Sequence, residues 1–444
     1  MEKLFFEAGD YIKDEYGNEL YCLMEPAIYN DKYYVAHARE ISSNRECLLK
    51  FAETNDDSYK LNNLKREGDF CFFYPYIERV YGNFSGITPI GEKIYGVELE
   101  FIHGRNLKDF RVDLERKVFL NMIDEETAEW IIYRQIMQFL YGMRYYTEYS
   151  KQTYLHRDIK PENVMITDGE ENVIIVDFDF AHIAGSERTV NLLGWDLAFS
   201  SGYTSPDIFK QRKRGERDIS TDIYSAGRLF FYWINGRNYF TEEQLKDGQE
   251  EQLSSTVYCM DKKIGYGIET NKNRFNKKYL SDKYTRLRNI LDKMCCNPDE
   301  NQPYSEINEI ISDMKKFLLS LCEGSLKKLE NCLQNDNCKL LYGSENSLNK
   351  RYTMVVYKTL DGIKVGQPLY ENTIRDINFR GKYMFSICNF DNIITYIPSF
   401  GRTIEIRRNN QSKYIEKDKM FNDYEIYNGD IVICDGISFE FTIV

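Results

Sequence analysis

A short segment of this 444-residue chain carries an unusual concentration of chemically useful side chains. Residues 156–163 read His-Arg-Asp-Ile-Lys-Pro-Glu-Asn, and a nearby apolar run ends in Asp177. Asp158 could accept a proton from a hydroxyl group, and Lys160 could neutralise charge. Asn163 and Asp177 could supply hard oxygen ligands to magnesium. Transfer of a phosphoryl group from a nucleotide needs little more than this from a protein.

The two segments closely resemble the catalytic core of the serine/threonine protein kinases. The resemblance implies that Asp158 is the catalytic base and that Lys160 reaches the γ-phosphate of ATP. It also implies that Asn163 and Asp177 bind magnesium or manganese, with Asp177 as the main ligand. A hydrogen-bonded turn without chemistry is the alternative interpretation of Asp158 and Asn163. The presence of every residue of the motif argues against that alternative.

Two upstream residues complete the phosphate site that the resemblance implies. The run Cys-Leu-Leu-Lys that ends at Lys50 resembles the strand whose lysine contacts the α- and β-phosphates. Glu67 follows at the spacing at which the family places the acidic partner of that lysine on a helix. Without the other motifs, Lys50 and Glu67 would be interpreted as two solvated charges. Together with those motifs, they are expected to be catalytic.

The adenine site is expected where the two lobes of such an enzyme join. Residues 95–104 resemble the hinge of the family, with backbone groups of Glu100 and Ile102 facing the adenine edge. Leu48 and Met165 would then hold the base between them. Ordinary core residues would give the same apolar pattern at these two positions.

The substrate side of the site is expected in the segment that follows Asp177. By resemblance, Ser200 falls where serine/threonine kinases place a hydroxyl that faces the substrate. Ser186 and Thr189 lie in the middle of the segment, and we expect one of them to be phosphorylated. The phosphate would pair with Arg157 and order the segment.

Further residues resemble the internal supports of the family. Asp222 matches the buried aspartate at a helix start that holds the catalytic loop, where a carboxylate also suits the helix dipole. Cys71, His156 and Phe178 would form the internal stack of the active state. His156 is therefore expected to be a packed core histidine and not a catalyst.

Two departures from the family pattern lie at the nucleotide site, and a third places Gln302 where the family has the arginine partner of an acidic residue, here Asp207. The turn that should cover the phosphates, residues 25–32, contains no glycine, whereas glycine lets backbone amides approach phosphate closely. This departure predicts either weaker binding of ATP or compensation by the charge of Lys32. The magnesium motif ends in Asp179 where the family has glycine. Since aspartate tolerates a positive φ, we expect Asp179 to keep the left-handed conformation.

The elements that must position these residues are those of an α+β, two-lobed kinase fold. Short apolar runs predict a β-rich small lobe at about 10–100, interrupted by a helix at 58–70. A helical large lobe is expected at about 103–320, so that the kinase domain spans 10–320. A helical connector is expected at 321–348. The segments with helical periodicity in the large lobe are 127–149, 221–234 and 287–321.

The sequence of residues 349–444 predicts a separate β-sandwich, with short strands between Gly and Asn turns. The run 427–441 resembles the last two strands of forkhead-associated (FHA) domains, which bind phosphothreonine proteins. The phosphate-binding signatures of that family are missing, so a structural sandwich or a docking surface is the alternative. If phosphate is bound, Arg402, Arg407 and Arg408 are the nearest cations. The expected strands are 352–357, 382–387, 393–397, 403–407, 431–434 and 439–443.

Composition argues against several other classes of protein. The net charge is −12 and no basic run stands out, which disfavours a nucleic-acid partner. Eleven cysteines at irregular spacing, without a Cys-x-x-Cys pair, predict neither a disulfide framework nor a zinc ribbon. No secretory signal or membrane-spanning apolar stretch is evident. We therefore expect a reduced, cytoplasmic protein without a membrane partner.

The sequence predicts an ATP- and magnesium-dependent serine/threonine kinase that phosphorylates protein hydroxyls, including its own. A pseudokinase, which binds nucleotide and signals by its shape, is the alternative, because the turn over the phosphates is divergent. A small-molecule kinase is disfavoured. The Lys-Pro-Glu-Asn form of the loop and the later Ser-Pro-Asp segment are both typical of protein kinases.

Overall fold

The computed structural model describes most of the chain. The described residues are 6–30, 32–70, 76–149, 153–169, 171–183, 202–206, 218–241, 274–298 and 301–324, followed by Asp430 and the C-terminal strands given below. The expected connector lies almost wholly outside the described residues. So do Cys71, Ser186, Thr189, Ser200 and Arg402.

Seven antiparallel strands form the small lobe, in the order β2-β1-β6-β7-β5-β4-β3. An additional pairing of β2 with β4 closes six of them into a ring, and large apolar side chains such as Phe51 fill its interior. Closure removes the exposed edges that an open sheet would have. The strands are β1 (Tyr11–Lys13), β2 (Glu19–Leu23), β3 (Ile28–Tyr29), β4 (Tyr34–Glu40), β5 (Glu46–Glu53), β6 (Val80–Ile87) and β7 (Lys93–Glu100).

One helix, α1 (Ser58–Asp69), packs on the outside of this sheet. Asp57 begins the helix, since its side chain accepts a hydrogen bond of 2.9 Å from the amide of Tyr59. Leu64 is fully buried against the sheet. Glu67 lies one turn further on and is also fully buried, so the packing of α1 brings a carboxylate into the interior of the lobe.

Among the described residues, the large lobe contains five α-helices around one apolar core. Trp233 and Phe139 pack in this core, and Trp233 Nε1 donates a hydrogen bond of 3.0 Å to Gln135 Oε1, which satisfies both buried polar groups. Side chains cap the N-termini of the helices that begin at residues 107, 125 and 219. The capping residues are Asn106, Asp124 and Asp218. The helices are α2 (Leu107–Phe119), α3 (Glu125–Arg144), α4 (Ile219–Asn235), α5 (Thr285–Met294) and α6 (Ile307–Leu321).

Short strands flank the loops that contain the two sequence motifs. In order along the sheet, β11, β10 and β8 form an antiparallel three-stranded sheet, and β9 pairs with β12. The strands are β8 (Gly104–Asn106), β9 (Tyr154–Leu155), β10 (Val164–Thr167), β11 (Val173–Ile175) and β12 (His182–Ile183). The catalytic segment 156–163 lies between β9 and β10, and Asp177 follows β11. Two strand ends therefore bring the two motifs together.

Residues 287–321, expected to be largely helical, are helical over most of their length. The structure has two helices there, because α5 ends at Met294 and α6 begins at Ile307. Pro298 and Pro303 lie between them, and proline cannot donate the backbone hydrogen bond that continues a helix. None of the helices in the described ranges has the length and apolarity that crossing a lipid bilayer requires.

The C-terminal region contains two antiparallel sheets, one with the order β14-β13-β21-β20-β18-β19 and one with the order β15-β16-β17. All six expected strands are present, and β14, β15 and β19 were not predicted. The arrangement of the sheets as an FHA-like sandwich stays a prediction. The strands are β13 (Thr353–Lys358), β14 (Lys364–Pro368), β15 (Thr373–Phe379), β16 (Lys382–Phe390), β17 (Ile393–Ile397), β18 (Ile404–Arg408), β19 (Gln411–Ile415), β20 (Ile431–Cys434) and β21 (Ile437–Ile443).

We predict that Gly104→Ala destabilises the protein where the lobes join. A Cβ at Gly104 would lie 2.2 Å from the backbone oxygen of Ile166 on the paired strand, and that oxygen cannot move without shifting β10. The expected loss in free energy of unfolding is about 1–3 kcal/mol. Val112→Ala, on the exposed side of α2, is the control and should change it by less than about 0.5 kcal/mol. Equal stability of the two variants in denaturant unfolding would contradict the packing described.

Candidate active site

A buried carboxylate of the large lobe supports the backbone of the loop that contains Asp158. Asp222, in the first turn of α4, accepts hydrogen bonds from the amides of His156 at 2.6 Å and Arg157 at 3.0 Å. Arg157 has a φ of 71°, a left-handed conformation that is uncommon for residues other than glycine. The two hydrogen bonds to Asp222 hold the loop in this bend. The sequence-based role of Asp222 as a support agrees with this geometry.

Three side chains of the loop form one hydrogen-bonded group. Lys160 Nζ lies 2.6 Å from Asp158 Oδ2, and Asn163 Nδ2 donates to Asp158 Oδ2 at 2.9 Å and to its backbone oxygen at 2.8 Å. Burial disfavours the charge of Lys160, but the carboxylate of Asp158 raises the pKa of Lys160 above its ordinary value. Asp158 is therefore a carboxylate held in one orientation by two donors.

His156 is part of the packed interior. Its Nε2 donates to the backbone oxygen of Val176 at 3.0 Å, and its Nδ1 accepts from the amide of Asp158 at 3.3 Å. The ring lies 4.6 Å from the ring of Phe178, which also contacts Tyr146. The expected stack of His156 on Phe178 is present, and both ring nitrogens of His156 are engaged in fixing the loop.

Lys50 connects three elements of the site. It lies on β5, and its Nζ is 3.1 Å from Glu67 on α1 and 2.6 Å from Asp177 after β11. Burial opposes the charged form of Lys50, yet Asp177 and Glu67 raise its pKa well above the ordinary value. In the same cluster, burial raises the pKa of Glu67 to about 7 against the effect of Lys50. Burial would also raise the pKa of Asp177, but the charge of Lys50 outweighs burial and the pKa of Asp177 is lowered.

The two groups of residues are neighbours. The amide of Val176 donates to the backbone oxygen of Asn163 at 3.1 Å, and the charge of Lys160 acts on Asp177. The structure thus brings together Lys50, Glu67 and Asp177 from one prediction and Asp158, Lys160 and Asn163 from the other. In physical terms, it places a fixed carboxylate beside two ammonium groups and a second carboxylate.

Glu78 is a buried acidic residue of the site that the sequence reasoning missed. Its backbone amide donates to Ile175 at 2.9 Å, and its Oε2 accepts from the amide of Asp177 at 3.1 Å. Burial, and then Glu67, raise the pKa of Glu78 well above the usual range of a carboxyl group. In the sequence, the only indication that Glu78 is buried is its place directly after the apolar residues Tyr76 and Ile77. Glu78 fixes the backbone of Asp177 without adding a charge.

Asp177, and not Asp179, is the left-handed residue of the magnesium motif. The φ of Asp177 is 66°, whereas Asp179 does not have a positive φ. The expectation for Asp179 was therefore wrong. Asp179 instead turns its carboxylate into the protein, where it forms an ion pair with Lys32, and its backbone oxygen accepts from Arg66 at 2.8 Å. Burial, and then Asp177, raise the pKa of Asp179.

The residues expected around the adenine lie on both lobes. Leu48 is on β5, opposite Leu99 of β7, and Met165 is on β10, opposite Ile174. Both Leu48 and Met165 are partly buried. The amide of Glu100 donates to Arg79 at 2.8 Å, and Ile102 is partly buried just after the end of β7. Their contacts with adenine stay a prediction.

The donor set fits a magnesium ion that is shared with a phosphate. Asp177 keeps about a third of its side chain exposed, and Asn163 lies beside it through the Val176 hydrogen bond. Among described residues, no group of three or more His, Cys, Asp and Glu is arranged to hold a metal alone. Magnesium commonly binds one or two protein oxygens and completes its shell with phosphate and water. The residues present match that mode.

Comparison with known proteins adds independent information. A family model described as "Protein kinase domain" matches residues 35–318, which is more than half of the chain. This range contains every predicted site residue, from Leu48 to Ser200.

Several plant proteins from Arabidopsis thaliana are similar to parts of the chain. Cysteine-rich receptor-like protein kinase 29 is 29% identical over 161 residues, which are 36% of this chain and 22% of that protein. Cysteine-rich receptor-like protein kinase 11 is 27% identical over 214 residues, 47% of this chain and 30% of that protein. A G-type lectin S-receptor-like serine/threonine-protein kinase is 32% identical over 139 residues, 31% of this chain and 15% of that protein. The chain thus covers less than a third of each of these relatives.

We predict that Glu78→Gln and Glu78→Leu have different effects on stability. Glutamine keeps an oxygen that accepts the amide of Asp177, whereas leucine leaves that amide without it. Loss of the acceptor should cost about 1–3 kcal/mol in free energy of unfolding. The glutamine variant should stay within about 1 kcal/mol of the parent in the same denaturant titration. If leucine is tolerated as well as glutamine, Glu78 does not hold the magnesium motif.

Proposed function

This chain belongs to the protein kinase domain family, and we propose that it is an active serine/threonine protein kinase that uses ATP and magnesium. The observation that carries the proposal is the arrangement of Asp158, held by Lys160 and Asn163, next to Asp177, held by Lys50. The names of the similar receptor-like kinases support the serine/threonine class. The proposed reaction moves the γ-phosphate of ATP to a hydroxyl group of a protein.

Asp158 would act on the acceptor hydroxyl. As a carboxylate, it can take up the proton that the hydroxyl oxygen loses as it attacks phosphorus. Its two donors, Lys160 Nζ and Asn163 Nδ2, both bind Oδ2 and hold the carboxylate in place for the hydroxyl. Lys160 lies 2.6 Å from this carboxylate, so it can also neutralise charge on the γ-phosphate nearby.

Lys50, Glu67 and Asp177 would hold the nucleotide phosphates. The ammonium of Lys50 can contact the α- and β-phosphates while Glu67 keeps it oriented. Asn163 and Asp177 are the residues that would hold magnesium. When bound, magnesium neutralises charge on the phosphate oxygens. Protein groups that are already in position when the reaction begins need no reorganisation, which is the main source of electrostatic catalysis.

Several finer parts of the function belong to the same proposal. Glu100 and Ile102 would meet the adenine edge, with Leu48 and Met165 against its faces. Arg157 would pair with a phosphate on the activation segment. In support of that pairing, Arg66 lies close enough for the charge of Arg157 to lower its pKa, after the effect of burial. Two neighbouring guanidinium groups are a suitable site for a phosphate.

Autophosphorylation, the recruitment of phosphothreonine proteins by the C-terminal sheets, and a cytoplasmic location are also proposed. None of the described cysteines Cys22, Cys47, Cys295, Cys296 and Cys322 is in a disulfide, which suits a reducing compartment. The β-strands found at 431–434 and 437–443 suit the two last strands of an FHA-like unit.

We predict that Asp158→Asn abolishes phosphate transfer. Asparagine keeps the size of the side chain but cannot accept the proton, so the rate should fall at least about a thousandfold, equivalent to about 4 kcal/mol in the barrier. The measurement is intact-protein mass spectrometry after incubation with magnesium and ATP. The added mass in the parent protein should be a multiple of one phosphate.

Asp282→Asn is the control, because it makes the same chemical change on an exposed residue far from the site in sequence. This variant should incorporate phosphate at the rate of the parent. Near-normal incorporation by Asp158→Asn would contradict the assigned base. If the parent binds ATP but never transfers phosphate to itself or to a generic basic protein substrate, the pseudokinase alternative is correct.

A further inference from the structure

The turn over the site uses its backbone amides internally. Asn30 Oδ1 accepts hydrogen bonds from the amide of Tyr33 at 2.8 Å and from the amide of Lys32 at 3.3 Å. The amide of Asn30 donates in turn to the backbone oxygen of Tyr33 at 2.9 Å. These three amides are committed to the turn itself. These three described amides are therefore not directed at a phosphate.

The side chain of Lys32 does reach into the site. Its ammonium forms an ion pair with the carboxylate of Asp179, two residues after Asp177. The same ammonium lies 4.1 Å from the ring centre of Phe180 and 4.8 Å from that of Tyr33. About a quarter of the Lys32 side chain is still exposed. A lysine from the turn thus extends across to the magnesium motif and remains accessible to solvent.

Two ammonium groups converge at this point. Asp179 Oδ2 binds Lys32 and lies 3.9 Å from Nζ of Lys50, which itself contacts Asp177. The second oxygen of Asp179, Oδ1, is buried and has no hydrogen-bond partner among the described residues. A buried carboxylate is costly unless it is paired, so Asp179 holds Lys32 where it is. The result is a pair of cations beside the proposed magnesium ligand.

We propose that Lys32 is the phosphate-binding residue of this turn and that Asp179 holds it ready. On nucleotide binding, the ammonium of Lys32 contacts the β- or γ-phosphate in addition to Asp179 or in exchange for it. Lysine suits this role because its compact ammonium carries three donors on a flexible stem. The inference rests on the proposed function, since it assumes that the site takes ATP. It deepens that function by assigning the phosphate contact of a turn without glycine.

The test is calorimetric titration of the full chain with a non-hydrolysable ATP analogue plus magnesium, and separately with adenosine. Lys32→Met should weaken the ATP analogue at least tenfold and leave adenosine unchanged, because only the analogue carries phosphates. Lys13→Met is the matched control. Lys13 lies on β1 of the same lobe, is half-exposed and pairs only distantly with Glu19, so this variant should bind like the parent.

A second variant distinguishes phosphate binding by Lys32 from an alternative in which the Lys32–Asp179 ion pair blocks the nucleotide site. Asp179→Asn removes the carboxylate that holds Lys32 in position, so the ATP analogue should bind severalfold less tightly, and adding Lys32→Met should cause little further loss beyond that of Lys32→Met alone. Tighter binding by Asp179→Asn would contradict the positioning role. If Lys32→Met instead tightens binding of the analogue, the Lys32–Asp179 pair blocks the site and the proposal is wrong. Equal losses for the analogue and adenosine would mean that Lys32 only supports the fold, which also overturns it. Thermal unfolding of each variant checks that the fold is kept.

Failure of this inference differs from failure of the proposed function. If the parent transfers phosphate but Lys32→Met binds the analogue normally, the kinase assignment stands and the role of Lys32 is rejected. If the parent binds the analogue through Lys32 but transfers no phosphate, the role of Lys32 stands and the catalytic proposal is rejected. A parent protein that binds neither ligand would overturn both.

Discussion

The burial of the Lys50 ammonium is the interaction on which the site depends. A buried charge is tolerated only when it is paired, and Lys50 is paired with both Glu67 and Asp177. These three residues come from β5, α1 and the loop after β11. The pairing therefore fixes the position of the helix and of the magnesium motif relative to the small-lobe sheet. Removal of Lys50 would leave the carboxylate of Glu67 buried without this ion pair.

Electrostatic balance explains the surrounding residues. Glu67, Asp177 and Asp179 place three acidic groups in a small volume, and Lys50 and Lys32 are the ammonium groups in contact with them. Burial raises the pKa of Glu78, which favours the neutral form of this fourth carboxyl group beside Asp177. Because Asp158 is anchored separately through Asp222, the base and the phosphate site rest on different elements.

Much of this arrangement could be predicted from the sequence, for a physical reason. The proposed catalytic residues Asp158, Lys160 and Asn163 lie in one short loop, so their spacing along the chain reflects their spacing in the fold. The C-terminal strands were predictable because apolar alternation is a local signal, and β15 was missed because polar residues such as Asp376 interrupt it. The contacts of Glu78 and of Lys32 with the magnesium motif were not predictable. They join residues about a hundred or more positions apart, and nothing local in the chain marks such a contact.

In the proposed nucleotide site, Asp177 is held by Lys50 and is the magnesium ligand. The most direct measurement is the affinity of a non-hydrolysable ATP analogue with and without magnesium, in the parent protein and in Asp177→Asn. We expect magnesium to tighten binding at least tenfold in the parent and to have little effect in the variant. An equal effect of magnesium in both proteins would show that the metal binds elsewhere and that Asp177 is not its ligand.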